Sequence, residues 1–385
     1  MKHHKSKIDF DFIKKPEEFN KYSKKELLQY CLGAILYTPG TLDIKEKISR
    51  GELSGLTTIV LDFEDGIADS ELTQAENNVI DSLEYIYKEI DSGNMSEKDL
   101  PLIFIRVRNT DQFKSFSKRL CKKHSKLLTG FEFPKLNTDN ALNYLEHQKY
   151  LNEKFNEILY SMPVMEDEKV AHKETRIEEL SSLRDIFADY KDIIINLGIG
   201  GTDFSSIFSL RRSVQESIYD LMEVKDCLTD IMNFFTRKSD NYVISVPVWE
   251  YFSNNSQEVD KISSESSEIK KNFYKLLIQR KTFINPAVDG LLREIILDKA
   301  NGFIGKGIIH PSHIKYVNAM QSVKKEDYDD AQQILETPGG VAKSLRGNKM
   351  NEINPHHSWA KKIIYKAKAY GVIEEEKDYA KLFKM

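Results

Sequence analysis

The chain has 385 residues, of which 40% are hydrophobic and 30% charged, and its formal net charge is -4. This length suffices for one large α/β domain with extensions, and the net charge leaves no excess positive field for a nucleic acid. Three widely separated cysteines argue against a disulfide framework, and no run approaches the roughly 18 consecutive apolar residues of a membrane span. The composition therefore predicts a soluble, cytoplasmic protein with neither a nucleic-acid nor a membrane partner.

Short apolar, β-rich runs alternate along the chain with longer amphipathic stretches, a pattern typical of parallel sheets with crossover helices. Eight such runs in strict alternation favour an α/β fold with a closed (β/α)8 barrel, the TIM barrel, over an open sheet. The runs cover residues 31–37, 57–63, 101–107, 127–133, 157–165, 192–199, 241–248 and 302–310.

The barrel should occupy only part of the chain. We expect an N-terminal extension over residues 1–30, a TIM-barrel catalytic domain over 31–320 and a C-terminal helical arm over 321–385. The extension is rich in lysine, and its His3 and His4 are expected to lie in a disordered tail.

Local signals predict several elements within this frame. Asp69 or Ser70 should cap a helix that runs to about Ile90, because a short side-chain oxygen accepts hydrogen bonds from first-turn amides. The final helix of the arm should extend from about His357 to Tyr370. The serine-rich stretch at 263–268 indicates a surface insertion before the last strand.

Carboxylates follow several of the predicted strands. Because the active site of a TIM barrel lies at the carboxyl ends of its strands, these residues should converge on one mouth. Oxygen ligands with open positions for water suit a hard octahedral cation, so the pattern predicts a Mg²⁺ site with room for a substrate. Solvated strand-end carboxylates, or acidic groups that favour a helix N-terminus, are the structural alternatives. The carboxylates are Glu64, Asp65, Glu166 and Asp203.

Arg106 ends the third predicted strand, where its planar guanidinium matches a carboxylate in a bidentate manner. A substrate that carries a carboxylate follows from this position, while an ion pair with Glu64 or Asp65 is the structural alternative. Lys135 follows a proline and is expected to be an ion-pair partner rather than a nucleophile. The glycines of the GIGGTD segment, residues 198–203, let the backbone approach a ligand.

An ordered series of motifs resembles a known family. LYTPG, LDFEDG, IRVRN, FPK, the strand that ends in Glu166, GIGGTDF and GKGIIHPSHI occur in the order seen in the citrate lyase β-subunit-like family, which groups with the HpcH/HpaI aldolases. The departures from that pattern resemble the divergent carbon-carbon bond lyase branch encoded beside tellurite-resistance-type stress genes. The resemblance covers most of the barrel and the arm.

The resemblance implies roles for individual residues. Glu166 and Asp203 would bind Mg²⁺, and Arg106 would hold the carboxylate of a 2-oxo-acid. Glu64 and Asp65 would lie near the metal and its waters, as catalytic residues together with Arg106. Arg108 stands where the family often has a small polar residue and would add a second positive charge. The implied substrate-binding residues are Arg106, Arg108, Gly200, Gly201 and Thr202.

The predicted function is that of a Mg²⁺-dependent carbon-carbon bond lyase or aldolase, acting as a homo-oligomer on a 2-oxo-acid or its adduct. A metal-dependent ester or thioester hydrolase on the same barrel, and a non-catalytic binding or assembly barrel, are the alternatives. Relatives that use CoA carry an arm aspartate that serves a neighbouring subunit as general acid. Asn354 stands there instead, with Glu352 or His356 as the nearest substitutes, which argues against a CoA thioester.

Overall fold

A computed structural model describes residues 1–6, 9–53, 55–253, 273–280 and 283–384 of the protein. The eight long apolar runs form eight parallel strands, which confirms the predicted TIM barrel. The insertion predicted at 263–268 lies outside the described residues. The barrel strands are β1 (Ala34–Pro39), β2 (Thr58–Asp62), β3 (Leu102–Arg106), β4 (Leu128–Phe133), β5 (Tyr160–Met165), β6 (Gly198–Ile199), β7 (Val246–Trp249) and β8 (Lys306–Ile308).

Neighbouring strands pair in the order β6-β5-β4-β3-β2-β1-β8-β7. A parallel bridge between Leu197 and Ile244, just before β6 and β7, completes the ring. In the register, Asp62 pairs with Arg106, and Arg106 pairs with Glu132. Paired residues of parallel strands point to the same face, so these three side chains share one layer inside the barrel.

Helices surround the barrel and build the arm. The described helices are α1 (Lys25–Leu28), α2 (Lys45–Ser49), α3 (Leu72–Asp91), α4 (Thr110–Ser117), α5 (Lys122–Leu127), α6 (Ala141–Phe155), α7 (Glu168–Ala171), α8 (Lys173–Asp189), α9 (Gly201–Ile207), α10 (Met222–Phe235), α11 (Phe273–Ile278), α12 (Pro286–Ala300), α13 (Ile314–Gln321), α14 (Lys325–Glu336), α15 (Ile353–Tyr370) and α16 (Asp378–Phe383). Short strands accompany the arm: β9 (Val323–Lys324), β10 (Val341–Lys343), β11 (Met350–Glu352) and β12 (Val372–Ile373). Among the described helices, none has the length and apolar character needed to cross a bilayer.

The barrel interior changes character along its axis. Towards the amino ends of the strands it is filled by buried apolar side chains, among them Ile35, Val60, Phe104 and Met162. At the carboxyl ends of β1, β2, β3 and β4 the inward side chains are polar. Tyr37, Asp62, Arg106 and Glu132 form this top layer. The apolar layers hold the strands together, and the polar layer supplies the floor of a site.

Helix α3 has the predicted extent but not the predicted cap. A turn of 3-10 helix over Asp69–Glu71 precedes it. In this described region neither Asp69 nor Ser70 accepts a capping hydrogen bond; instead the Glu71 carboxylate accepts one from the backbone N–H of Ala68 at 3.1 Å. The prediction of an Asp69 or Ser70 cap was wrong because Asp69 pairs with the guanidinium of Arg108.

The N-terminal extension packs against the base of the barrel and the arm. His3 is only 1% exposed, stacks on Tyr370 with ring centroids 4.2 Å apart, and has Nε2 2.8 Å from the carbonyl oxygen of Cys31. The Nε2 atom of His4 lies 3.2 Å from the hydroxyl oxygen of Ser322. The expectation of a disordered tail was therefore wrong for both histidines. In the arm, α15 begins at Ile353, before the predicted start at His357.

Candidate active site

A cavity of about 600 Å³ opens at the carboxyl ends of the barrel strands. This volume lies in the range of small-molecule sites, and the strand ends are where a TIM barrel carries its chemistry. The side chains and backbone of several strand ends line it: Tyr37, Thr38, Asp62, Asp65, Arg106, Glu132, Val164, Glu166, Gly200, Gly201, Thr202, Asp203, Val248, Glu250 and Ile309.

Arg106 is held in the floor of the cavity by carboxylates. Its Nε donates to Asp62 Oδ1 at 2.6 Å and its Nη2 to Asp62 Oδ2 at 2.8 Å. Its Nη1 lies 3.0 Å from Glu64 Oε2, and the guanidinium stacks on the ring of Tyr37 at 5.4 Å. Burial alone would lower the pKa of Arg106, but the hydrogen bonds and charge of Asp62 raise it well above its usual value. The guanidinium therefore stays charged at the edge of the cavity.

A second cation, Lys135, links three carboxylates across the mouth. Its Nζ pairs with Glu64 and lies 3.2 Å from Asp65 Oδ1 and 3.6 Å from Asp203 Oδ1. Burial raises the pKa of Glu64. The pKa of Asp65 is lowered although burial opposes this, because Glu64, Arg106 and Lys135 favour its ionised form. Lys135 thus occupies the predicted ion-pair position.

Glu166 and Asp203 form the acidic centre of the cavity. Glu166 is 3% exposed, and its Oε1 accepts a hydrogen bond from the backbone N–H of Lys135 at 2.9 Å. Its Oε2 rests over Gly200, where an added Cβ would lie only 1.9 Å away. Burial and the charge of Asp203, in the first turn of α9, raise the pKa of Glu166 well above its usual value. Asp203 thus adds negative charge beside the buried Glu166 carboxylate, and its own cation partner among the described residues is Lys135, with Nζ 3.6 Å from Asp203 Oδ1.

The structure separates Arg108 from the other predicted substrate-binding residues. Its guanidinium donates to the backbone carbonyls of Phe63 at 2.9 Å and Ile67 at 3.0 Å. Arg108 is not among the described residues that line the cavity. These contacts give it a role in holding the loop after β2, next to Glu64.

The glycines of the turn after β6 serve the packing of the cavity wall. Gly200 leaves room for Glu166, and a Cβ on Gly201 would lie 2.6 Å from the Cβ of Pro247. Gly200, Gly201 and Thr202, the segment predicted to bind substrate, all line the cavity.

Sequence reasoning assigned no role to three residues of the site: Tyr37, Asp62 and Glu132. Glu132 is 2% exposed, and its Oε1 accepts a hydrogen bond from the hydroxyl of Tyr37 at 2.8 Å. Burial raises the pKa of Glu132 to about 7, although the charge of Arg106 opposes the shift. The available signal was a carboxylate inside an otherwise apolar strand, LLTGFEF, since an unpaired charge is costly in a core.

The arm does not complete the cavity within one chain. Glu352, Asn354 and His356 are exposed at the start of α15 and are not among the described residues that line the cavity. Among the described residues, the groups that the cavity offers to chemistry are therefore those of the strand ends.

Eight parallel strands with an acidic cavity at their carboxyl ends define a TIM-barrel enzyme. The model of a family described as carbon-carbon bond lyases of the TIM-barrel fold matches residues 26–372, and the chain belongs to this family. The prediction of a carbon-carbon lyase is thereby confirmed.

Solved structures with a similar fold come from distant proteins. CitE from Mycobacterium tuberculosis, in complex with magnesium, acetoacetate and coenzyme A, is 13% identical, with a TM-score of 0.49 over 88% of this chain and 99% of that one. Malate synthase from Haloferax volcanii, in a magnesium and glyoxylate complex, is 12% identical, with a TM-score of 0.46 over 73% and 72%. No curated protein sequence matches the chain.

Proposed function

We propose that the protein is a Mg²⁺-dependent lyase or aldolase that makes or breaks a carbon-carbon bond next to the carbonyl group of a 2-oxo-acid or its adduct. The observation that carries the proposal is the pair formed by Glu166 and Asp203. Burial of a carboxylate beside another carboxylate is unfavourable unless a cation neutralises them. Their place in the cavity of a carbon-carbon lyase gives that cation a role in the reaction.

The chemistry of the donor set fits Mg²⁺. Magnesium prefers carboxylate oxygens and keeps several positions for water or substrate. Glu166 offers Oε2 on the side of Gly200, since its Oε1 is engaged by the backbone of Lys135. Acidic side chains around the cavity also outnumber basic ones: Asp62, Glu64, Asp65, Glu132, Glu166 and Asp203 surround Arg106 and Lys135. This surplus of negative charge favours a divalent cation.

A 2-oxo-acid is complementary to the same cavity. When bound, Mg²⁺ would act as a Lewis acid that polarises the substrate carbonyl. Arg106 lines the cavity and offers its guanidinium to the substrate carboxylate, with its orientation held by Asp62. Glu64 pairs with both Lys135 and Arg106, and Asp65 pairs with Lys135. These ion pairs hold the two cations in place. Arg108 affects this site indirectly, because its hydrogen bonds hold the loop that carries Glu64.

Titration calorimetry with Mg²⁺ alone tests the metal site. The wild-type protein should bind Mg²⁺, and Asp203→Ala should abolish the binding. The matched control is Glu250→Gln, which removes another carboxylate of the cavity; Glu250 already pairs with Arg212 at 3.1 Å and should contribute little. Unchanged Mg²⁺ binding in Asp203→Ala would exclude the proposed ligand.

Product analysis tests the reaction. Pyruvate, oxaloacetate and glyoxylate, singly and in pairs, are followed by NMR with the protein and Mg²⁺. A lyase or aldolase changes the carbon skeleton, whereas a hydrolase preserves it. We retain the expectation of a cytoplasmic homo-oligomer, and sedimentation velocity tests the oligomeric state. The proposed substrate does not include a CoA thioester.

A further inference from the structure

Glu132 stands apart from the other carboxylates of the cavity. It projects from β4 into the top layer of the barrel, where Tyr37 donates a hydrogen bond to its Oε1. Its Oε2 is buried and has no hydrogen-bond partner among the described residues. A buried carboxylate oxygen without a partner is unfavourable in a folded protein unless a ligand or another group meets it.

Apart from the proposed metal ligands Glu166 and Asp203, the other acidic groups of the cavity already pair with arginine or lysine. Asp62 accepts two hydrogen bonds from Arg106, and Asp65 pairs with Lys135. Glu250 pairs with Arg212. In contrast, no lysine or arginine nitrogen of the described chain lies within 4.0 Å of a Glu132 oxygen.

We propose that Glu132 is the catalytic residue that carries the proton in the lyase reaction, and that Tyr37 positions it. The inference rests on the proposed function, because it takes the substrate to be a 2-oxo-acid or its adduct. It assigns a strand residue of the same chain to a role for which the arm carries Asn354 in place of an aspartate.

The protons and electrons balance in the proposed cleavage step. In cleavage of an adduct, the hydroxyl O–H bond breaks and its proton passes to the Glu132 carboxylate, while the electron pair forms the carbonyl. The carbon-carbon bond breaks, and its electrons form an enolate. The protonated Glu132 then returns the proton to the enolate carbon. In the reverse direction Glu132 removes that carbon-bound proton, so no further reactant is needed.

The surroundings of Glu132 suit a group that exchanges protons. Burial is the main cause that raises its pKa, and the nearby carboxylates add to the effect of burial while Arg106 opposes it. Burial also raises the pKa of Tyr37 well above its usual value, so that Tyr37 remains a hydrogen-bond donor. The charged or titratable groups that face this pair in the described chain are Asp62, Glu64, Arg106 and Glu166.

Exchange of the pyruvate methyl protons with D2O, followed by NMR in the presence of Mg²⁺, measures the proton step alone. Glu132→Gln keeps an oxygen that can accept from Tyr37 but removes the proton carrier. We expect the exchange rate to fall by about 100-fold or more, as for other general acid-base groups. Mg²⁺ binding by calorimetry should remain, because Glu166 and Asp203 are intact.

Tyr37→Phe provides the second variant. Loss of the hydroxyl removes a hydrogen bond to the ionised form of Glu132, so the pKa of Glu132 should rise. In a pH profile of the exchange rate, the rate falls at low pH as Glu132 takes up a proton. This acid limb should shift to higher pH in Tyr37→Phe and disappear in Glu132→Gln. A purely structural role of either residue would lower the rate without moving this limb.

The outcomes separate the two proposals. Exchange by the wild type that survives in Glu132→Gln overturns the role of Glu132 and leaves the proposed function in place. A wild type that binds Mg²⁺ but neither exchanges pyruvate protons nor cleaves oxaloacetate overturns the proposed function, and the role of Glu132 with it. Should Glu132→Gln fail to fold, an unshifted acid limb in Tyr37→Phe also overturns the inference.

Discussion

Arg106 and Asp62 form a bidentate ion pair across β2 and β3, with two N–H···O hydrogen bonds of 2.6 and 2.8 Å. The two residues are direct partners in the strand register, and their side chains are 12% and 4% exposed. Because both charges are buried, each depends on the other for compensation. The pair fixes the plane of the guanidinium that faces the cavity.

Removal of one partner should therefore destabilise the barrel mouth. Arg106→Met leaves Asp62 buried without its cation, and we expect the free energy of unfolding to fall by about 3–5 kcal/mol, measured by urea denaturation. The double variant Asp62→Asn with Arg106→Met should lose less than the two single losses combined, because neither charge of this pair is then buried without the other.

An exposed pair serves as the control for this prediction. Arg50 and Glu46 are 2.9 Å apart, and their side chains are 63% and 55% exposed. Arg50→Met should change the free energy of unfolding by less than about 1 kcal/mol. Equal losses in Arg50→Met and Arg106→Met would contradict the view that burial makes the Asp62 pair important.

The position of the Glu166 side chain should require a glycine at residue 200. Its backbone (φ -88°, ψ 81°) has a negative φ, which does not itself require glycine. A Cβ, however, would lie 1.9 Å from Glu166 Oε2 and 2.5 Å from the Glu166 Cβ. Gly200→Ala should displace this carboxylate and weaken Mg²⁺ binding by about 10- to 100-fold in calorimetry, as for other supports of a metal ligand.

Gly198→Ala is the matched control on the same strand end. A Cβ added at residue 198 would lie 3.3 Å from Val164 Cγ2, a contact that a small shift relieves. Mg²⁺ affinity should be essentially unchanged. If Gly200→Ala also binds Mg²⁺ as well as the wild type, then Glu166 is not a ligand in the position described here.

The sequence was sufficient to predict the eight strands and the acidic strand ends, because both depend on local patterns. Glu166 and Asp203 could be found from their position directly after an apolar run. Asp62 could not, because it lies within the run that forms β2 and its role depends on pairing with Arg106 of the next strand. That relationship belongs to the register of the barrel, which a single sequence does not reveal.

Side-chain competition explains the other misses. The sequence position of Asp69 is typical of a helix cap, but its carboxylate pairs with Arg108, which is distant along the chain. His3 looks like part of a charged tail, but the aromatic ring of Tyr370 and the carbonyl of Cys31 provide a buried place for it. In each case a contact far along the chain overrides the local preference.

The burial of His3 leads to a prediction on acid stability. Burial lowers its pKa to about 3, and burial lowers the pKa of His313 to about 4. An unfolded histidine titrates near 6.5, so the unfolded chain takes up these protons first. The stability contributed by the neutral histidines is complete above about pH 6.5 and is lost as the pH falls towards the folded values.

Chemical denaturation between pH 7 and pH 4 measures this loss. Each buried histidine should add a slope of up to about 1.4 kcal/mol per pH unit to the free energy of unfolding. His3→Gln keeps an N–H donor for the carbonyl of Cys31 but takes up no proton, so its slope should be shallower than that of the wild type by one proton. His356→Gln, at an exposed site, should leave the slope unchanged. Parallel slopes for the wild type and His3→Gln would show that His3 is already charged, or not buried, in the folded protein.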